Sequence, residues 1–185
     1  MDFQIGEKVV YPNHGVGIIE QIDCRRADGS SLGCYHLKIY SNCLRVMIPF
    51  ANVRTVGLRR VVKRKEISQI LHYLTDQECT PPQDWKSRFK ENCEKMRTGS
   101  LLHVAEVYKG LLLVSQVKLL SFRERKMLDR ARYLLISELA IVKNASESEI
   151  ETLLEKTLAK ARHNLQISST TSGCVAAASQ TTTEK

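Results

Sequence analysis

Trp85 is the single tryptophan among 185 residues. It stands in the stretch Thr80-Pro-Pro-Gln-Asp-Trp-Lys-Ser-Arg-Phe-Lys-Glu-Asn-Cys-Glu-Lys-Met-Arg97, with Lys86, Arg88, Lys90, Lys95 and Arg97 around it. A flat apolar ring among cations can pack against unstacked bases while the cations hold phosphates, a device used to trap deformed nucleic acid. The two prolines lack backbone donors and stop a preceding helix. Asp84, or Thr80 with Gln83 three residues on, can cap a new one. That places Trp85 in the first turns of a helix. A second reading competes, because Phe89, Cys93 and Met96 follow Trp85 at steps of four, four and three, the spacing of an apolar stripe that faces a core. At this level both readings stand.

No other cluster of residue types suggests a reaction. His14 lies in Tyr11-Pro-Asn-His-Gly-Val-Gly17, which reads as a tight turn with no nucleophile and no orienting acid nearby. Cys24, Cys34, Cys43, Cys79, Cys93 and Cys174 form no Cys-x-x-Cys pair, and the histidines lack the spacing typical of zinc, so reduced thiols and no metal are expected. A Gly-x-x-x-x-Gly-Lys-Ser/Thr loop, a Gly-x-Ser-x-Gly elbow and a His-Glu-x-x-His pair are all missing. The expectation is a protein without catalytic residues and without a cofactor.

Charge points to the partner. The chain carries 28 Lys/Arg against 20 Asp/Glu, a formal net charge of +8. The excess is +3 over residues 1–60 (8 against 5), +6 over 61–143 (16 against 10) and −1 over 144–185 (4 against 5). The polyanion signal therefore sits in the part that holds Trp85, although charge alone does not choose among DNA, RNA and lipid. The polar start Met1-Asp-Phe-Gln-Ile-Gly-Glu7 is unlike a secretory leader, and the longest apolar run, Leu111 to Val114, is far below the roughly 20 residues of a membrane helix. A soluble cytoplasmic protein with no membrane partner is expected.

Two kinds of element must position these residues. Up to residue 62, glycines and prolines separate short runs rich in Val, Ile and Tyr, at 8–11, 17–22, 34–40, 44–48 and 53–57, and several alternate with the period of half-buried strands. Asp28-Gly29-Ser30-Ser31 and Ser41-Asn42 read as hairpin turns. Five such strands closing on themselves would make a small SH3- or Tudor-like β-barrel, and Pro49 suits a strand with a free edge. From Glu66 the period becomes 3.6: Ile67, Ile70, Leu71 and Leu74; the Trp85 stretch; Leu102 to Leu112; a capping box at Ser121-Phe-Arg-Glu124 before a long helix; and Ser146-Glu-Ser-Glu149 before a last one. Arg123, Arg125, Lys126, Arg130 and Arg132 give the long helix a second basic cluster. The fold class is thus α+β: a barrel over residues 1–62, a compact all-α bundle of about five helices over 63–167, and a disordered Ser/Thr/Ala-rich tail over 168–185.

Four patterns together, Ile5-Gly-Glu-Lys-Val-Val-Tyr-Pro-Asn-His-Gly-Val-Gly17, Val56-Gly-Leu-Arg-Arg-Val-Val62, Trp85 with Arg88-Phe-Lys90, and Ala131-Arg132 with Glu138-Leu-Ala140, resemble the CarD/CdnL family of bacterial transcription regulators. The amino-terminal pattern is shared with the RNA-polymerase-interacting domain of the transcription-repair coupling factor, whose motor domains this chain lacks. The resemblance implies a barrel that docks on the β subunit of RNA polymerase through a strand edge, and a helical domain that sets a tryptophan at the upstream fork of the promoter bubble. By position it implies polymerase contacts at Arg25 and Met47; Met47 stands where the family often has arginine, so either the polymerase surface is less acidic at that point or neighbouring Arg26 and Arg45 supply the charge. It makes Trp85 the wedge in the minor groove at the fork, with Lys90 and Arg125 as cations directed to the DNA backbone, and the charge around the indole adds Lys86 and Arg88 as expected DNA contacts. A monomer that associates with the nucleoid through polymerase and stabilises the open complex is the expectation. From residue chemistry alone, an RNA- or ribosome-binding module is the alternative.

Overall fold

The computed structural model describes residues 3–27, 30–76 and 84–173. Four antiparallel strands, β1 (Lys8–Tyr11), β2 (Gly15–Ala27), β3 (Ser30–Ile39) and β4 (Arg45–Pro49), are followed by a 3-10 turn (Phe50–Asn52), a single helical turn α1 (Val53–Val56) and a two-residue strand β5 (Arg59–Arg60). Five longer helices complete the chain: α2 (Arg64–Asp76), α3 (Trp85–Arg97), α4 (Leu101–Val117), α5 (Phe122–Lys143) and α6 (Glu147–Gly173).

The strands form one sheet in the order β4-β3-β2-β1-β5. Alternation works as the sequence implies: Tyr35, Leu37 and Ile39 of β3 are buried, as is Ile48 of β4, whereas His36, Lys38 and Met47 face outward. A register shift between Ile19 and Gln21 bulges β2 at Glu20. The expected barrel is not closed, because β4 and β5 end the sheet on opposite sides and do not pair. The expected strand over 53–57 is instead a helical turn. Gly57 adopts φ 75° and its N–H bonds to the Val53 and Arg54 carbonyls, a left-handed cap that only a residue without Cβ takes easily, so the chain curls before it can extend. Val53 from this turn then covers the sheet core with Phe3, Val9, Ile19 and Leu58. The Asp28-Gly29 part of the first hairpin turn lies outside the described residues.

The helices follow their apolar periods. Ala131, Leu134, Leu135 and Leu139 of α5 are buried against Leu101, Val104, Ala105, Tyr108 and Leu111 of α4, with Ile67, Ile70 and Leu74 of α2 and Ile150, Leu154 and Leu158 of α6. Both expected capping boxes form. Ser121 Oγ accepts the Glu124 N–H at 3.3 Å while the Glu124 carboxylate accepts from the Ser121 N–H and hydroxyl, and Ser146 with Glu149 repeats the pattern. Helix α6 continues past Ile167 to Gly173, so residues 168–173, expected in the tail, are helical, and 174–185 lie outside the described residues.

Sheet and bundle are joined by a buried carboxylate. Glu138 of α5 is 2% exposed, and its two oxygens accept from Arg59 Nη1 at 2.6 Å and Nη2 at 2.8 Å. The Val62 N–H adds a bond at 2.9 Å to Oε1, and Arg59 Nε reaches the Gly99 carbonyl at 2.6 Å. Gly99, at φ 70°, closes against Pro12, where a Cβ would come within 2.9 Å of the proline ring. Arg130 bonds the Asn13 carbonyl from the same helix. Arg59 is thus occupied internally, and its neighbour Arg60 pairs with Glu7. Glu138→Ala would leave the Arg59 guanidinium without its carboxylate partner and the Val62 N–H without this acceptor, and is expected to cost about 3–5 kcal/mol in urea unfolding. A loss below about 1 kcal/mol would mean that water replaces the clamp.

Candidate nucleic-acid interface

Helix α3 begins at Trp85 because Asp84 is extended and its carboxylate accepts the Ser87 N–H at 2.9 Å. The face that this helix buries is not the one its apolar residues predict. Arg88, Asn92 and Met96 are buried, Phe89 and Cys93 are half-buried, and Trp85 is 46% exposed. Rotation of the helix by about one residue from the apolar stripe turns the indole outward. The core reading of Trp85 therefore fails.

The cause is Arg88. It is 2% exposed and its Nε and Nη2 donate to Glu124 Oε1 at 3.0 and 2.5 Å. The other carboxylate oxygen of Glu124 serves Ser121 at the start of α5. One buried carboxylate thus binds the first turns of α3 and α5 to each other. Arg88, expected among the DNA-contacting cations, is thus paired in the interior, whereas Lys86, Lys90 and Arg125 face solvent. Burial acts to raise the Glu124 pKa, but the Arg88 side chain and the Ser121 N–H and hydroxyl favour the ionised form and hold it below the ordinary glutamate value of 4.5.

Around this pair lie exposed groups from both helix starts. Lys86 and Lys90 of α3 are exposed, with Lys86 Nζ 6.0 Å from the Trp85 ring centroid. On α5, Arg123, Arg125 and Lys126 are exposed, and Lys126 Nζ stands 4.7 Å over the ring of Phe122. Phe122 is 71% exposed, an apolar surface residue that periodicity does not single out. Its signal was its place inside the capping box, one residue after the cap, where a helix start faces outward. The rest of the basic cluster on α5 is engaged elsewhere: Arg130 with the sheet, and Arg132 with Glu151 and Glu155.

The placement of these cations is electrostatically unfavourable for the protein alone. Helix N-termini carry partial positive charge, and lysines or arginines there are repelled. Lys86 in the first turn of α3, and Arg123 and Arg125 in that of α5, all oppose the helix dipoles. An external polyanion would satisfy these cations and interact favourably with both helix dipoles.

The polymerase-side candidates lie on the sheet. Arg25 pairs with Leu32 and Arg26 with Ser31 in the β2–β3 ladder. Arg45 and Met47 belong to the edge strand β4, whose second edge has no partner among the described residues. Met47 is 65% exposed; Arg45 is exposed but bonds Glu20 at 3.0 Å, so its charge is shared with the bulge. His14 is stacked on Tyr11 in the turn between β1 and β2, and burial together with the Arg130 charge lowers its pKa.

If Arg88 is structural and its neighbours are surface groups, Arg88→Ala should cost about 3–5 kcal/mol and Lys90→Ala less than about 0.5 kcal/mol. Because the folded Glu124 pKa is depressed, this stabilisation is complete above the unfolded value and disappears as pH falls through the lower folded one. Urea titrations of both variants from pH 7 to 3 would check the order and the direction.

Known proteins share this arrangement of sequence. Residues 3–62 match the family described as CarD-like/TRCF RID domain, and residues 69–155 match CarD, C-terminal domain. "Putative transcription factor YdeB" of Bacillus subtilis (strain 168) is 35% identical over 150 residues, which cover 81% of this chain and 98% of that protein. A solved structure, "CdnLNt from Myxoccoccus xanthus", is 39% identical over 34% of this chain and 87% of its own, with a TM-score of 0.27. The Bacillus subtilis relative is described as a putative transcription factor, and no helix among the described residues of this chain is long and apolar enough to cross a membrane. With an extensive relative at 35% identity and both halves matched in order, the chain belongs to the CarD/CdnL family of transcription regulators.

Proposed function

We propose that this protein is a non-enzymatic regulator of transcription initiation that binds the β subunit of RNA polymerase through its sheet and promoter DNA through its helical half. In this reading it acts in the cytoplasm as a monomer, Trp85 packs at the upstream edge of the bubble, and the open complex is stabilised. The observation that carries the reading is the exposed Trp85, held at the start of α3 by the buried Arg88–Glu124 pair amid Lys86, Lys90 and Arg125. An indole among cations on a surface has little to gain in water. It gains where stacking has been broken and phosphates lie alongside.

A cation at that place would bind closed and open duplex alike. The ring finds its partner only in the open state, so its contact energy of about 1–3 kcal/mol enters the closed–open equilibrium in full. Trp85→Ala is therefore expected to keep the fold and polymerase binding yet shorten open-complex lifetime about five- to a hundredfold, with Trp85→Phe intermediate. Promoter-complex dissociation and thermal unfolding of the same samples test this, and long-lived open complexes with Trp85→Ala would overturn it.

The free edge of β4 supports the polymerase half, because an exposed edge can extend a partner's sheet. A charge reversal at Arg25 of β2 combined with Met47→Glu on β4 is expected to abolish capture of polymerase while DNA binding by the full chain persists. Capture of ribosomal proteins instead of polymerase subunits from a bacterial lysate would favour an RNA-binding module.

A further inference from the structure

The outer face of the sheet brings together three donors of different chemistry. Asp23 of β2 and Cys34 of β3 are directly opposite in the ladder, and His36 follows Cys34 on the same face, two residues along. His36 Nε2 lies 2.7 Å from Asp23 Oδ2 and 3.7 Å from Cys34 Sγ, and the three ligand atoms are within 4.8 Å of one another. Gln21 Nε2 donates to the second Asp23 oxygen at 2.7 Å, fixing the carboxylate from behind. Among the described residues this is the group of three or more such side chains close enough to share an ion.

We propose that Asp23, Cys34 and His36 form a three-ligand site for a zinc-like divalent ion on the outer face of the β2–β3 hairpin. A thiolate, an imidazole nitrogen and a carboxylate are the donors that zinc combines in tetrahedral sites, with bonds of about 2.3, 2.0 and 2.1 Å. Tetrahedral angles then set the donors about 3.4–3.6 Å apart. The Cys34–His36 spacing already matches. As the ion enters, the Cys34 thiol proton passes to solvent, the proton shared by Asp23 and His36 leaves Nε2 for solvent or Nδ1, and these two side chains separate by under about 1 Å. Side chains only have to change torsion, since the ladder fixes the three Cα positions. Gln21 supplies the outer-shell hydrogen bond that metal-bound carboxylates normally receive.

The fourth position is open. Asp23 is 47% exposed and His36 27% by side chain, so water or a donor from a partner can complete the tetrahedron. Magnesium and calcium fit poorly, because they require several hard oxygen ligands and this group offers a single carboxylate.

Titration of the full reduced chain with Co²⁺ reads the site directly. One equivalent is expected to bind with a thiolate-to-cobalt charge-transfer band and the visible bands of four-coordinate geometry, and Zn²⁺ should displace it. Cys34→Ser should remove the charge-transfer band, while Cys24→Ser and Cys43→Ser, which alter exposed thiols elsewhere, leave it unchanged. His36→Gln and Asp23→Asn, with the thiol intact, should each weaken binding at least about tenfold. Circular dichroism would confirm that each variant is folded, and the histidine and aspartate variants decide the matter should Cys34→Ser not fold. Absence of a stoichiometric band, survival of the band in Cys34→Ser, or unchanged affinity in both His36→Gln and Asp23→Asn would overturn the site.

Discussion

The bidentate bond between Arg59 and Glu138 is the constraint on which the arrangement of this molecule depends. It is formed between a strand residue at the end of the sheet and a nearly inaccessible carboxylate in the C-terminal half of α5. A buried carboxylate that loses its partner is costly, so the sheet cannot swing away from α5 without leaving a charge unpaired. The same carboxylate receives the Val62 N–H, which fixes the direction in which the chain enters the bundle. Arg130 and the Gly99–Pro12 contact reinforce the joint from either side.

Helix α5 carries a second carboxylate of the same kind at its start. Glu124 and Glu138 are separated by 14 residues, or about 21 Å at 1.5 Å per residue. One end of the helix is therefore bound to the sheet and the other to the first turn of α3. Trp85 is held at a set distance from the edge strand β4. For a protein proposed to touch polymerase with one end and DNA with the other, that rigidity matters more than the strength of either contact. A flexible connection would spread the indole over many positions and dilute its effect on an opening duplex.

Electrostatics at the helix starts follow from the same economy of partners. Glu124 neutralises Arg88 and no other cation, so Lys86, Lys90, Arg123 and Arg125 remain exposed beside two helix N-termini. Their mutual repulsion is a cost in the free protein, relieved when a polyanion arrives. The outer face of the sheet is balanced differently. Glu20 at the bulge pairs with Lys38 and Arg45, and Asp23 with His36, so that face presents mixed charge instead of a uniformly basic field.

Much of this was determined by local sequence. Strand alternation in Tyr35-Leu37-Ile39, the capping boxes at Ser121 and Ser146, the apolar periods of α2, α4, α5 and α6 and the basic excess around Trp85 all act over a few residues, where propensity and pattern are decisive. Tertiary structure decided what depends on partners distant in the chain. Arg88 looks like one more surface cation until Glu124, 36 residues on, takes it into the interior and turns Trp85 outward. Gly57 looks like part of a strand until its left-handed cap closes a helical turn over 53–56. Asp23, Cys34 and His36 have no ligand spacing along the sequence, and only the β2–β3 register makes them neighbours. Local pattern specifies which elements form, whereas burial of a charged or polar group depends on whether a distant residue arrives to pair with it, and no window of sequence contains both.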